Sequence, residues 1–324
     1  MFTDTQLLDK VNDYISHLIY GKQPEGLYEP IQYAMSLGGK RIRPLLMLMA
    51  YNLYRDDVDS ILSQAAGIET YHNYTLVHDD LMDNAEIRRG KPSVQKKWSG
   101  NTAVLSGDVM QVIAYKLMAG MGEKYVPAVM KLFTETAIQV CEGQQYDMDF
   151  ETRMDVYEHE YLEMIRLKTS VLLAASLKIG ALLAEAPAED TQLLYDFGIN
   201  LGMAFQLKDD VLDVYGDPRV FGKKIGGDIL CNKKTYMLIQ ALRRANSDQL
   251  VELKKWLTAK DFDPDEKIKA VTALYDAIGV RSLCEDRISH YTLLAETNLG
   301  KVKVPEAKKQ PLLNEMNKLM LREA

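Results

Sequence analysis

Apolar side chains recur every three or four residues along nearly the whole chain, and no stretch alternates long enough to build a sheet. This periodicity constrains the fold more than any other feature, because residues three and four apart share one face of an α-helix. In TQLLDKVNDYISHLIY, for instance, Leu7, Val11, Tyr14, Ile15 and Leu18 fall on one face. The same reading predicts helices over 4–20, 27–37, 42–54, 58–84, 101–120, 124–150, 153–184, 189–215, 232–246, 247–257, 264–276, 278–298 and 306–322. Breakers separate several of them: Lys22-Gln23-Pro24, Gly90-Lys91-Pro92, Gly216-Asp217-Pro218, Gly226-Gly227 and Asp263-Pro264.

The segments 101–120, 153–184 and 189–215 are rich in Ala, Leu, Met and Ile on several sides. Helices apolar all round belong inside a bundle, wrapped by amphipathic ones. No Pro/Ser/Gly-rich linker and no fixed-period repeat divides the 324 residues, so one all-α domain over 1–324 is expected. A hydrophobic fraction of 47% supplies ample core. The balance of 39 basic against 46 acidic residues leaves a net charge of −7, which argues against a general nucleic-acid binder. Cys141, Cys231 and Cys284 are widely spaced, an arrangement read as reduced thiols. PLLMLMAY (44–51) is too short to span a bilayer, and SVLLAASLKIGALLA (170–184) is interrupted by Lys178. The N-terminus lacks the pattern of a signal peptide. The expectation is a cytoplasmic protein without stable membrane insertion.

The most informative segment is HDDLMDNAEIRRGKPS (78–93). Asp79 and Asp83 lie one turn apart at a helix end, with Asp80 beside them. Like charges at that spacing destabilise a bare helix, and a hard divalent cation is the natural counterweight. A solvated helix end would explain one such cluster. The chain repeats it, however: FQLKDDVLDVYGD (205–217) carries Asp209, Asp210 and Asp213 at the same spacing. Both sets follow core-like sequence, where unpaired carboxylates are costly. The loop pattern of an EF-hand is absent. Cations accompany each set: Arg88 and Arg89 after the first, Lys223, Lys224, Lys233 and Lys234 after the second. Plain salt bridges are one reading of them. The other is an anion held between metal and guanidinium, as phosphates are. Metal ligands, cations and an apolar bundle together suit a diphosphate on a hydrocarbon tail.

At this point the sequence resembles the trans-isoprenyl diphosphate synthases, or polyprenyl synthetases, of short-chain type. The likeness extends over roughly 35–240. It rests on GGKRIRP (38–44), His72, the aspartate motif with RRGKP (78–92), GQQYD (143–147), LKTS (167–170), FQLKDDVLDVYGD (205–217), GKKIGGD (222–228) and KKT (233–235). The resemblance implies a helical bundle of the isoprenoid synthase type, with central helices around a deep apolar cavity, and usually a homodimer. It implies a magnesium-dependent enzyme that joins isopentenyl diphosphate head to tail to an allylic diphosphate (dimethylallyl, geranyl or farnesyl). Asp79, Asp83 and Asp209 would be magnesium ligands, with Asp80, Asp210 and Asp213 as near or water-mediated partners. Three ions would clamp the allylic diphosphate, helped by Arg88, Lys168, Lys223 and Lys233. Lys40, Arg43, His72 and Arg89 would hold isopentenyl diphosphate, and Thr169 and Gln206 would sit beside the reacting carbon. Departures from the family pattern are small: Asn232 replaces a common Gly, Met237 a frequent Pro, and GKKIGGD offers two lysines, Lys223 and Lys224.

Product length in this family is set by bulky residues upstream of the first motif. Tyr74 stands five residues before Asp79, Thr75 four and Tyr71 eight, and the motif has no insertion. This resembles enzymes with C15 to C20 products. At about 100° per residue, Tyr71 and Thr75 point nearer the Asp79/Asp83 face than Tyr74 does, so a kink or a wall built from two helices is needed to make Tyr74 the floor. Ordinary core tyrosines would look the same. A class I terpene cyclase shares the first motif, but DDVLD is not its second. A regulatory subunit of a heteromeric synthase typically loses the aspartates, which are intact here.

Overall fold

The computed structural model describes residues 2–217 and 225–321, and most of them are helical. The chain opens with α1 (Asp4–His17), α2 (Glu25–Ser36) and α3 (Ile42–Asn52); a short turn at Val58–Ile61 then leads into α4 (Leu62–Met82). A two-stranded antiparallel hairpin, β1 (Ile87–Arg88) and β2 (Lys91–Pro92), precedes α5 (Val94–Lys97) and α6 (Gly100–Ala119). Next come α7 (Val126–Thr152), α8 (Glu158–Ile165), a π-helical turn at Arg166–Ser170, α9 (Val171–Leu183) and α10 (Ala188–Tyr215). The remaining helices are α11 (Gly227–Leu230), α12 (Tyr236–Arg244), α13 (Ser247–Thr258), α14 (Pro264–Ile278), α15 (Val280–Lys301) and α16 (Glu306–Met320).

These elements gather into two compact units. The first comprises Met1–Thr134, Ala175–Leu194 and Lys303–Leu312; the second comprises Glu135–Ala174, Tyr195–Val302 and Leu313–Ala324. Borders fall inside α7, α9, α10 and α16. In the first unit α4 lies along α6. Gly67 lets the two backbones approach, since an added Cβ there would lie 3.2 Å from the Ala114 carbonyl oxygen, and α4 is buried on most sides down to Asp80. Helix α3 is buried at every position except Arg43. Helix α1 is amphipathic and buries only Leu7, Val11 and Ile15, the face read from the sequence. A Thr3–Gln6 capping box starts it, a device worth about 1 kcal/mol. In the second unit α8, α10, α12, α14 and α15 converge on Tyr161, Ile165, Leu207, Val211, Met237, Val271, Tyr275 and Cys284.

Three local features differ from the sequence expectation. The break expected between 150 and 153 falls at 153–157, so the helix expected from 153 begins at Glu158. There Glu160 turns back to accept the Tyr157 N–H at 2.9 Å and pairs with Arg153 at 2.8 Å, starting a new helix without Pro or Gly. The helix expected from 232 begins at Tyr236, capped by Thr235. The hairpin and α5 fill a span read as connection. The three cysteines are unbridged. Among the described residues no helix is long and apolar enough to cross a membrane.

Candidate active site

In the first unit the site begins where α4 ends. Asp79 is half-buried, Asp80 is buried, and Asp83 is the exposed C-terminal cap of the helix. Carboxylates here oppose the helix dipole, which is negative at this end. Part of the charge is met by Arg88 on β1. Its Nε lies 3.0 and 3.1 Å from the two Asp80 oxygens, and Nη2 also donates to Oδ1, a fork-on-carboxylate pair. Burial pushes the Asp80 carboxyl up while the Arg88 guanidinium opposes the rise. Thus Asp80 and Arg88, assigned separately from the sequence, are partners of each other. Gln95, which sequence reasoning missed, donates to the Asp80 carbonyl at 2.5 Å and the Ala85 carbonyl at 3.0 Å, closing the loop after the motif.

The hairpin turn places Arg89 and Gly90 at φ 53° and 75°, the positive pair of a type I′ turn. Arg89 is held there by donating to the Gly38 carbonyl. That joins the hairpin to the GGKRIRP loop, in which Lys40 is exposed. Arg41, also at positive φ, is buried; it donates to Glu69 at 2.6 Å and to the Met35 carbonyl at 2.7 Å, while Asn73 donates to the same Glu69 oxygen at 3.0 Å. Arg43 Nη1 lies 3.0 Å from His72 Nε2. An arginine only donates, so Nε2 accepts and His72 is neutral with its proton on Nδ1. Burial and the cations Arg43 and Arg89 hold the imidazole well below its usual pKa, in agreement. Four of the predicted residues, Arg43, His72, Arg88 and Arg89, thus lie in one neighbourhood beside the aspartates. Arg88, Arg89, Asp80, Asn73, Leu76 and Val77 line a crevice there.

Upstream on α4, Tyr71 is wholly buried. Its ring packs 5.4 Å from Tyr74 and edge-on at 5.2 Å from Phe133 of α7, which in turn lies 4.9 Å from Tyr115 of α6. Tyr74 continues to His78 at 4.8 Å. Thr75 turns its hydroxyl back to the His72 carbonyl at 2.8 Å. Helix α4 runs through this region without interruption. The wheel conflict between Tyr71 and Tyr74 therefore meets a cluster from three helices, in which the two tyrosines touch.

In the second unit, Asp209, Asp210 and Asp213 lie on the last turns of α10. A chain of side-chain hydrogen bonds crosses to α8 and the π-turn: Thr169 Oγ1 donates to Gln206 Oε1 at 3.0 Å, Gln206 Nε2 donates to Asp210 Oδ1 at 3.1 Å, and the Tyr161 hydroxyl donates to Asp210 Oδ2. Burial, reinforced by the Asp228 charge, pushes the Asp210 carboxyl up. Asp213 Oδ2 accepts the Asp228 N–H at 2.9 Å, and its carbonyl accepts the Gly226 N–H at 2.6 Å, so the motif also starts α11. Lys168 Nζ donates to Asp147 Oδ2 at 2.7 Å, and Lys233 Nζ lies 3.6 Å from the same oxygen. Burial favours a neutral Asp147, but Lys233 and Lys168 outweigh it and hold the carboxyl below its ordinary range. Asp147, within the GQQYD motif, gathers two of the predicted diphosphate ligands. Lys223, like Lys224, lies outside the described residues.

The turn carrying Lys168 and Thr169 is a five-residue π-helix, a rare form often found at functional sites. Gly143 on α7 and Gly202 on α10 pack against it. A Cβ at Gly143 would lie 2.3 Å from the Lys168 nitrogen, and one at Gly202 would lie 2.5 Å from the Ser170 Cα.

Among the described residues no three His, Cys, Asp or Glu side chains form a ready metal cage. The carboxylates still fit a magnesium ion. Magnesium keeps several waters and takes one or two carboxylates plus substrate phosphates, which the one-turn pairs Asp79/Asp83 and Asp209/Asp213 are suited to provide.

Comparison with known proteins agrees with this chemistry. The polyprenyl synthetase family model matches residues 24–275. The chain belongs to the polyprenyl synthetase family. It is 38% identical over 279 residues to the short chain isoprenyl diphosphate synthase of Methanocaldococcus jannaschii, covering 86% of this chain and 84% of that one. It is 36% identical over 298 residues to the geranylfarnesyl diphosphate synthase of Aeropyrum pernix, covering 90% and 92%. The crystal structure of a geranylgeranyl pyrophosphate synthase superposes with a TM-score of 0.95 at 41% identity, covering all of both chains. The fold is thus the all-helical one of these synthases.

Proposed function

We propose that the protein is a magnesium-dependent trans-prenyltransferase that condenses isopentenyl diphosphate with an allylic diphosphate into a short-chain product. The observation that carries this reading is the pairing of acid and base in both units. Each one-turn aspartate set ends a buried helix and is accompanied by cationic side chains, Arg88 with Arg89 and Arg43 in one unit, Lys168 with Lys233 in the other. A terpene cyclase has no use for a second diphosphate clasp, and a regulatory subunit has no use for intact aspartates.

Breaking the allylic C–O bond puts negative charge on the departing diphosphate. Magnesium, three ions in this family, supplies most of the neutralisation when bound. Asp79, Asp83 and Asp209 would ligate it; Asp80, Asp210 and Asp213 would orient the surrounding groups, Asp80 by fixing Arg88. Arg88, Lys168 and Lys233, with Lys223, would donate to the same diphosphate as charge develops. Lys40, Arg43, Arg89 and neutral His72 would hold isopentenyl diphosphate. The Thr169 and Gln206 oxygens would face the allylic cation. The alkene of isopentenyl diphosphate then forms the new C–C bond, and a proton leaves to the diphosphate. An apolar surround keeps water from the cation. The protein works in the cytoplasm without nucleic acid or membrane insertion, as a homodimer; Val104, Leu105 and Val112 on α6 are exposed apolar side chains suited to such a contact.

We assign the product to C15–C20, with Tyr71, Tyr74 and Thr75 limiting the tail. Replacing Tyr71 and Tyr74 together by alanine removes two rings of the aromatic cluster and is expected to lengthen the product. Products are sized after dephosphorylation, from isopentenyl diphosphate and each allylic primer. An unchanged distribution in the double variant contradicts the floor assignment, and no elongation by the wild type with any primer overturns the enzymatic reading.

A further inference from the structure

The turn after α11 presents Lys233, and its backbone is tied on both sides. The Lys233 N–H donates to the Asp228 carbonyl at 2.9 Å, and its carbonyl accepts the Thr235 N–H at 2.9 Å. The preceding residue, Asn232, has φ 55°, a left-handed conformation that a non-glycine residue enters at a cost. Every polar group of Asn232 is engaged. Its N–H donates to the Ile229 carbonyl at 3.2 Å, its carbonyl accepts Lys234 Nζ at 3.0 Å, its Nδ2 donates to the Leu257 carbonyl at 3.1 Å, and its Oδ1 accepts Lys267 Nζ at 2.8 Å. Glycine takes this φ without help; Asn232 instead holds it with a side chain clamped at both ends.

Lys267 is the unusual member. It sits on α14 with 0% exposure. Its ammonium donates to Asn232 and, at 3.3 Å, to the Leu230 carbonyl, and it lies 4.2 Å from the Phe262 ring centre. A buried ammonium carries a desolvation cost that an apolar side chain of similar volume would avoid. The next residue on α14, Ile268, fills the space over Gly226, where a Cβ would meet it at 2.6 Å. Consecutive residues of α14 therefore brace both ends of α11.

We propose that Lys267 and Asn232 are positioning residues that hold the turn after α11 so that Lys233 is presented to the allylic diphosphate. This rests on the diphosphate role assigned to Lys233 above. The test uses the full-length protein with Lys267→Met, Asn232→Gly, both together, and Lys233→Ala, reading the thermal midpoint and the KM for geranyl and for isopentenyl diphosphate with magnesium present. Methionine removes the buried charge and retains volume, so a purely structural role predicts an altered midpoint with unchanged KM. The proposal predicts a KM for geranyl diphosphate raised about three- to tenfold, the worth of one hydrogen bond. The KM for isopentenyl diphosphate should stay as in the wild type, the double variant should be no worse than the stronger single one, and Lys267→Met should add nothing to Lys233→Ala. Should Lys267→Met fail to fold, Asn232→Gly carries the same test, because glycine tolerates the φ. A wild type that elongates beside variants of unchanged KM overturns this inference alone. A wild type that elongates no primer overturns the functional reading and this inference with it.

Discussion

Asp79→Ala and Asp209→Ala should each lower turnover by roughly 10²–10³-fold or more, the scale seen when a group that stabilises transition-state charge is removed. Both residues are half-buried at the ends of long helices, so alanine opens no core cavity and the fold should survive. The thermal midpoint should change little, since neither side chain fills the core. Asp80→Ala differs in kind. It strips Arg88 of its carboxylate partner and frees the guanidinium fork, so its loss should combine weaker activity with a looser hairpin. Steady-state kinetics beside calorimetric melting separate the two patterns. Near-wild-type turnover in either Asp79→Ala or Asp209→Ala would remove that residue from the metal set.

Gly143→Ala should damage both fold and activity. The added Cβ would come within 2.3 Å of the Lys168 nitrogen and 2.8 Å of the Leu167 carbonyl carbon, and these are backbone atoms that cannot rotate away. Either α7 or the π-turn must shift. Overpacking of this kind costs about 1–3 kcal/mol, and a displacement near 1 Å at Lys168 and Thr169 costs about 10²-fold in rate. Gly26→Ala is the control, because nothing lies within 4 Å of its added Cβ on α2. That change should leave melting and turnover at or slightly above the wild type, since alanine is the better helix former. Equal behaviour of the two variants would show that the π-turn does not depend on Gly143.

These two cases mark what sequence can and cannot disclose. Helices and acidic motifs are written in local periodicity and spacing, so α1, α4, α6, α7 and α10 emerge close to their read limits. The π-turn at Arg166–Ser170 is not local. It packs against two glycines far apart in sequence, Gly143 and Gly202, and LKTS reads as ordinary helix. The break at 153–157 lies a few residues beyond the one read at 151–152, because a Glu160 side chain, not a Pro or Gly, fixes where the next helix starts. Strands of two residues each give periodicity nothing to detect, so the Arg88–Arg89 hairpin was legible only through Gly90-Lys91-Pro92. Partnerships were the least visible layer. Tyr161 stands 49 residues from Asp210. Asp147 was in plain view within GQQYD, and the signal that should have singled it out was an acid within a motif of a chain rich in proposed phosphate-binding lysines.

The central claim is that these carboxylates and cations join two diphosphate substrates through a divalent metal. Incorporation of labelled isopentenyl diphosphate into a prenyl product in the presence of geranyl diphosphate tests it most directly, measured with magnesium, after chelation, and after magnesium is restored. The account predicts incorporation that stops with chelator, returns with the ion, and is nearly absent in Asp79→Ala. Incorporation indifferent to chelation, or none under any of the three conditions, would contradict it.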